Sequence, residues 1–163
     1  MDEFLEYARR AYGDLQKPDY GFFAEALRTR PCERLMSRFR EFLRVEDWTD
    51  REDDVSFSYV LKVRRGSAGW LLWLSAVGPF AFLVYSPTDD EIVRSDVVTG
   101  VRDGGFAEEA RIVGLLQDEG FRLLSAIQIE SMVNEFRPWD GRFPVSLFVV
   151  LFGDTDVPWW HAL

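Results

Sequence analysis

Three stretches between Val55 and Tyr85 constrain this chain more than any other feature. Val55, Phe57, Tyr59, Leu61 and Val63 alternate with Ser56, Ser58, Val60, Lys62 and Arg64, the period-2 pattern of a strand with one buried face. The Gly-bearing loop Arg65 to Gly69 follows, then Trp70 to Val77, apolar on both faces. Gly78-Pro79 turns the chain into Phe80 to Tyr85, again apolar on both faces. Parallel neighbours would need a crossover of about a dozen residues, so two short loops dictate an antiparallel meander.

Helical spacing brackets the meander. Phe4, Leu5, Ala8, Tyr12 and Leu15 follow Asp2, a residue type suited to an N-cap. A short segment groups Phe22, Phe23, Ala26 and Leu27 before Arg30-Pro31 interrupts it. From Cys32 to Arg44 an apolar stripe (Cys32, Leu35, Met36, Phe39, Phe42, Leu43) reads as a third helix, and Asp47 to Asp54 reads as an acidic linker. Later, Asp96 to Val101 is a short strand candidate, Phe106 to Glu119 a helix and Phe121 to Leu124 a brief strand. Ser125 and Gln128 have capping-box spacing, so residues 125–136 read as a short helix or as an extension of the preceding strand. Val145 to Phe152 (VSLFVVLF) reads as a further, central strand.

Runs of one element type rather than alternation imply α+β. The expected fold is a mostly antiparallel sheet, the meander plus one or two further strands, with N-terminal helices and one later helix packed on one face. At 163 residues with 14 Phe, 6 Trp and 5 Tyr, one domain over 1–163 can bury a core without metal or disulfide. Its parts are a helical segment 1–46, a sheet region 55–152 and an aromatic tail 153–163.

Charge and composition narrow the function. The net charge of −9 argues against nucleic acid or an anionic membrane as the main partner. Residues 1–46 carry nine acids and nine bases, so the excess lies beyond them. It gathers in Asp47 to Asp54, in Asp89 to Glu109 and in Asp154 with Asp156. No stretch is long and apolar enough to span a bilayer, and the acidic N-terminal residues do not resemble a secretory leader. A cytoplasmic protein is the expectation.

Catalytic vocabulary is sparse. Cys32 is the only cysteine and lies on an apolar stripe, where a buried structural thiol is the simpler reading than a nucleophile. His161 is the only histidine. With Asp154 and Asp156 it makes a weak open metal site, the basis of a metal-dependent hydrolase alternative. No cofactor is implied. The pattern instead points to a protein-binding domain whose contacts are Asp53, Asp54, Asp89, Asp90, Glu91, Trp159 and Trp160. The expected partner is a basic protein. The specific expectation is an immunity-type inhibitor, monomer or homodimer, docking on a partner such as a toxin domain. An acidic chaperone of an exported effector is the other binding alternative.

Overall fold

The computed structural model describes residues 1–86 and 93–153. Its main sheet has five strands in chain order. β1 (Leu43–Asp47), β2 (Ser56–Val63), β3 (Gly69–Ser75) and β4 (Phe80–Tyr85) are antiparallel neighbours, and β5 (Arg122–Leu123) runs parallel to β4. The meander expected from Val55 to Tyr85 is there, and the fold class is α+β. A two-stranded ladder pairs β6 (Met132–Val133) with β7 (Val145–Ser146).

The helices are α1 (Asp2–Tyr12), α2 (Gly21–Thr29), α3 (Glu33–Arg40), α4 (Ala107–Asp118), α5 (Ala126–Glu130) and α6 (Leu147–Phe152). Asp2 lies inside the first turn of α1 rather than capping it, and Met1 takes the cap position. Over 125–136 the helical reading holds only for one turn. Ser125 Oγ accepts the Gln128 N–H at 3.3 Å and Gln128 Oε1 accepts the Ser125 N–H at 2.9 Å, closing the capping box before β6 begins. Asp96 to Val101 is not a strand: a 3-10 turn spans Arg94–Asp96, and Val97 makes a single bridge to Val84.

Two expectations about the N-terminal half need correction. The third helix stops at Arg40, and Leu43 begins an edge strand, so the acidic connection moves to residues 48–55 and Asp47 belongs to the strand. Leu43 buried beside exposed Arg44 suits either period; pairing of Leu43–Asp47 with Val63–Tyr59 decides it, because the ladder satisfies that backbone. The first meander strand is also buried on both faces, with Ser56 and Val60 as covered as Leu61.

Helices pack on both faces of the sheet, not on one. Trp70 and Trp73 point to opposite sides of β3 by strand alternation. The Trp70 indole N–H donates to Glu109 of α4 at 2.7 Å, while the Trp73 ring meets Phe148 of α6 at 5.9 Å.

The largest correction falls on Val145 to Phe152. Only Val145–Ser146 is strand, and Leu147–Phe152 is a helix buried all round. A short apolar run does not reveal its period, because neither face carries polar residues. The decisive interactions are at its end. The last four carbonyls of a helix lack partners of their own. Here the carbonyls of Val149, Val150, Leu151 and Phe152 accept from Gly153 N–H, Tyr12 Oη, Ser75 Oγ and both Val55 N–H and Ser56 Oγ.

Tyr12 makes this arrangement measurable. Its hydroxyl donates to the Val150 carbonyl at 2.7 Å, and burial, then the nearby Tyr20, pushes its pKa well above the ordinary tyrosine value. The fold holds the neutral phenol. Its contribution is therefore complete below about pH 10, the unfolded value, and is lost as pH rises toward the folded one. Tyr12→Phe leaves the Val150 carbonyl unpaired and is expected to cost about 1–2 kcal/mol at pH 7 and to flatten the alkaline decline in stability. Denaturant titrations from pH 7 to 11 check both, and parallel pH profiles for the two proteins would contradict the assignment.

Candidate functional site

The connection between β1 and β2 is an ordered acidic loop. The Asp47 carboxylate accepts the Thr49 N–H at 2.9 Å, and Asp50 accepts the Glu52 and Asp53 N–H groups at 2.9 and 3.1 Å. Thr49 Oγ1 accepts the Ser58 N–H at 3.1 Å, and Trp48 N–H donates to the Ser58 carbonyl at 2.8 Å. Two aspartates are thus spent on turns, as expected of short acids competing for local backbone. The carboxylates of Glu52 and Asp53 accept no hydrogen bond among the described residues and face solvent.

This loop forms one wall of a groove. Opposite it, α2 presents Phe23, Ala24 and Leu27, and Tyr20 and Trp139 close one end. Together with Arg51, Glu52, Asp53 and Asp54 they line a hollow of about 310 Å³, with three acids to one base. A smaller recess of about 30 Å³ continues it under Trp139, between Asp53, Asp140 and Arg142. Trp139 is 81% exposed and Trp48 62% exposed, whereas the other tryptophans among the described residues, Trp70 and Trp73, are in the core. Burial pushes the Tyr20 phenol up, opposed in part by the nearby Trp139 backbone.

Of the residues expected to bind a partner, Asp53 and Asp54 lie together on this groove. Asp89, Asp90, Glu91, Trp159 and Trp160 lie outside the described residues, as do Asp154, Asp156 and His161. The three acidic segments do not leave the sheet at one end. Asp54 precedes β2 at the end where Ser56 pairs with Ser75, whereas Ser86, where the second segment departs, bonds to Gly69 at the other end. Glu109, counted with that second segment, is no surface charge: it is 1% exposed and held by Arg102 through two contacts of 2.6 Å.

Trp139 and Trp48 were not singled out by sequence reasoning. The available signal was a large aromatic in a turn-forming context, Pro138-Trp139-Asp140-Gly141, and another inside an acidic stretch. Such rings have no strand or helix to carry them into a core.

The chemistry of the groove is that of recognition. Solvent-facing carboxylates beside an exposed indole suit a guanidinium or ammonium group, which gains from both the charge and the ring face. Cys32 is buried and burial raises its pKa to about 12, so it stays a thiol at neutral pH. Among the described residues no group of three or more His, Cys, Asp or Glu side chains is placed to hold a metal ion. Among them, too, no helix is long and apolar enough to cross a membrane. Comparisons with protein-family models, with curated proteins and with solved structures each return no match.

Proposed function

We propose that this chain is an acidic protein-binding domain of the immunity type, acting in the cytoplasm as a monomer or homodimer. It docks the groove beside the 48–54 loop on a basic partner such as a toxin domain. One observation carries the reading: exposed Trp139 shares a groove with Glu52, Asp53 and Asp54. The acids steer a cationic surface into place, and the indole supplies the apolar anchor that slows its release. Charge therefore acts mainly on association and the ring mainly on dissociation.

The test is capture from the cells that make this protein, with wild type, Trp139→Ala and Asp53→Lys as parallel baits. Wild type is expected to retain a basic protein that both variants lose in large part. With that protein in hand, Trp139→Ala is expected to cost about 2 kcal/mol, roughly thirtyfold in Kd. Asp53→Lys is expected to slow association and reduce its dependence on salt. A partner that binds all three baits equally, or whose association ignores salt, would refute the reading.

A further inference from the structure

The opposite end of the groove carries the opposite charge. A pocket of about 280 Å³, sharing Leu27 and Arg51 with the acidic hollow, opens between the α2–α3 turn and the start of the 48–54 loop. Arg30, Arg40 and Arg51 line it against Glu33 and Asp47, three cations to two anions. Arg40 and Glu33 cancel each other through a 2.8 Å ion pair, and Asp47 already accepts the Thr49 N–H. Arg30 and Arg51 have no side-chain hydrogen bond or ion pair among the described residues. Beneath them lie Leu27, Phe57 and Tyr59.

Arg30 also occupies an unusual backbone position. It caps α2 in the left-handed region, at φ 48° and ψ 58°, and is the one non-glycine residue with positive φ among those described. Glycine is the residue that fits a helix end of this kind without penalty.

We propose that this pocket binds a small carboxylate carried on an apolar body. The guanidinium groups of Arg30 and Arg51 take the carboxylate, with the fork geometry suited to it. Leu27 and the edges of Phe57 and Tyr59, which are 6% and 7% exposed, meet the body. One excess positive charge matches a monoanion, and Glu33 and Asp47 disfavour a phosphate dianion. This site shares Leu27 and Arg51 with the docking groove but does not rest on the partner-docking reading, and it is tested without a partner.

The probe is benzoate, titrated into the full chain while the arginine Nε–H signals are followed by NMR. A saturable shift of the Arg30 and Arg51 signals is expected, with a dissociation constant on the order of 1 mM. Arg30→Gly and Arg51→Gln are each expected to weaken benzoate about tenfold, and Arg65→Gln, in the exposed loop after β2, to leave it unchanged. Arg30→Gly relieves the backbone rather than straining it, so a folded protein with unchanged or higher Tm is expected. Benzyl alcohol and inorganic phosphate are expected to bind at least about tenfold more weakly than benzoate. The proposal is overturned by a non-saturating response, by an equal loss in Arg65→Gln, or by benzyl alcohol or phosphate binding as tightly as benzoate.

Discussion

Replacing Glu109 by alanine is expected to lower stability by about 3 kcal/mol, among the largest effects of any single polar substitution in this chain. Glu109 sits on the first turn of α4, 1% exposed, and is the only buried acid among the described residues. Its Oε2 accepts the Trp70 indole N–H at 2.7 Å, and Arg102 donates to both of its oxygens at 2.6 Å. The net worth of such a pair against an apolar substitute is small, but removing one partner strands the others. Alanine would leave a buried indole N–H without its acceptor and Arg102 without its ion-pair partner. Arg102 keeps about a third of its side chain in solvent, which places the cost at the low end of about 3–5 kcal/mol. Glu109→Gln retains an acceptor for Trp70 and is expected to lose less than half as much. Against a total of about 5–15 kcal/mol, the alanine variant should melt roughly 10 °C lower. Urea titration of the three proteins checks the order. Equal stability of Glu109→Ala and wild type would show that the cluster is not the anchor of the 101–106 segment. Because Glu109 lies away from the acidic groove, binding of the partner by the folded fraction should be unchanged.

Gly153→Ala is expected to act on stability and on the site together. Gly153 ends α6 at φ 86°, and a Cβ there would stand 2.6 Å from the Val55 nitrogen and 3.0 Å from Asp54 Cα and carbonyl carbon. These are backbone atoms, so no side chain can swing aside. The left-handed conformation alone costs a side chain about 1–2 kcal/mol. Separating the two segments would also break the 3.1 Å bond from Val55 N–H to the Phe152 carbonyl, for a total of about 3 kcal/mol. Gly104→Ala supplies the comparison. It has φ 70° with nothing within 4 Å of the added carbon, so only the conformational cost of about 1–2 kcal/mol applies. The difference between the two variants isolates the steric contact. Asp54 follows Asp53 onto the groove, so Gly153→Ala should also weaken partner binding in the fraction that remains folded, and Gly104→Ala should not. Equal losses in the two variants would place the cost in backbone conformation and remove the link to Asp54.

Local patterning was enough wherever loop length, alternation or reciprocal spacing marks the element. The meander could be read because short loops fix antiparallel order and β2 alternates over nine residues from Val55 to Val63. α1 was readable from its apolar stripe, and α5 from the reciprocal Ser125–Gln128 spacing. For the candidate site, the acidic wall with Asp53 and Asp54 was visible as composition. The groove itself was not, since Trp139 lies 85 residues from Asp54 and nothing local announces that they meet.

What the amino-acid order determined by itself was the α+β class, the strand sequence β2–β3–β4 and an acidic surplus placed in connections rather than in elements. Each follows from interactions between residues near in sequence. Tertiary structure alone decided three things: that Leu147–Phe152 coils instead of extending, that Leu43–Asp47 extends instead of coiling, and that the 48–54 loop faces α2 and Trp139. In all three the local preference is nearly balanced, and the free energy that tips it comes from partners far along the chain. Tyr12, Ser56 and Ser75 accommodate the carbonyls of α6, and β2 completes the backbone bonds of β1. Groups that must be satisfied when buried select the conformation for which a distant donor happens to be waiting.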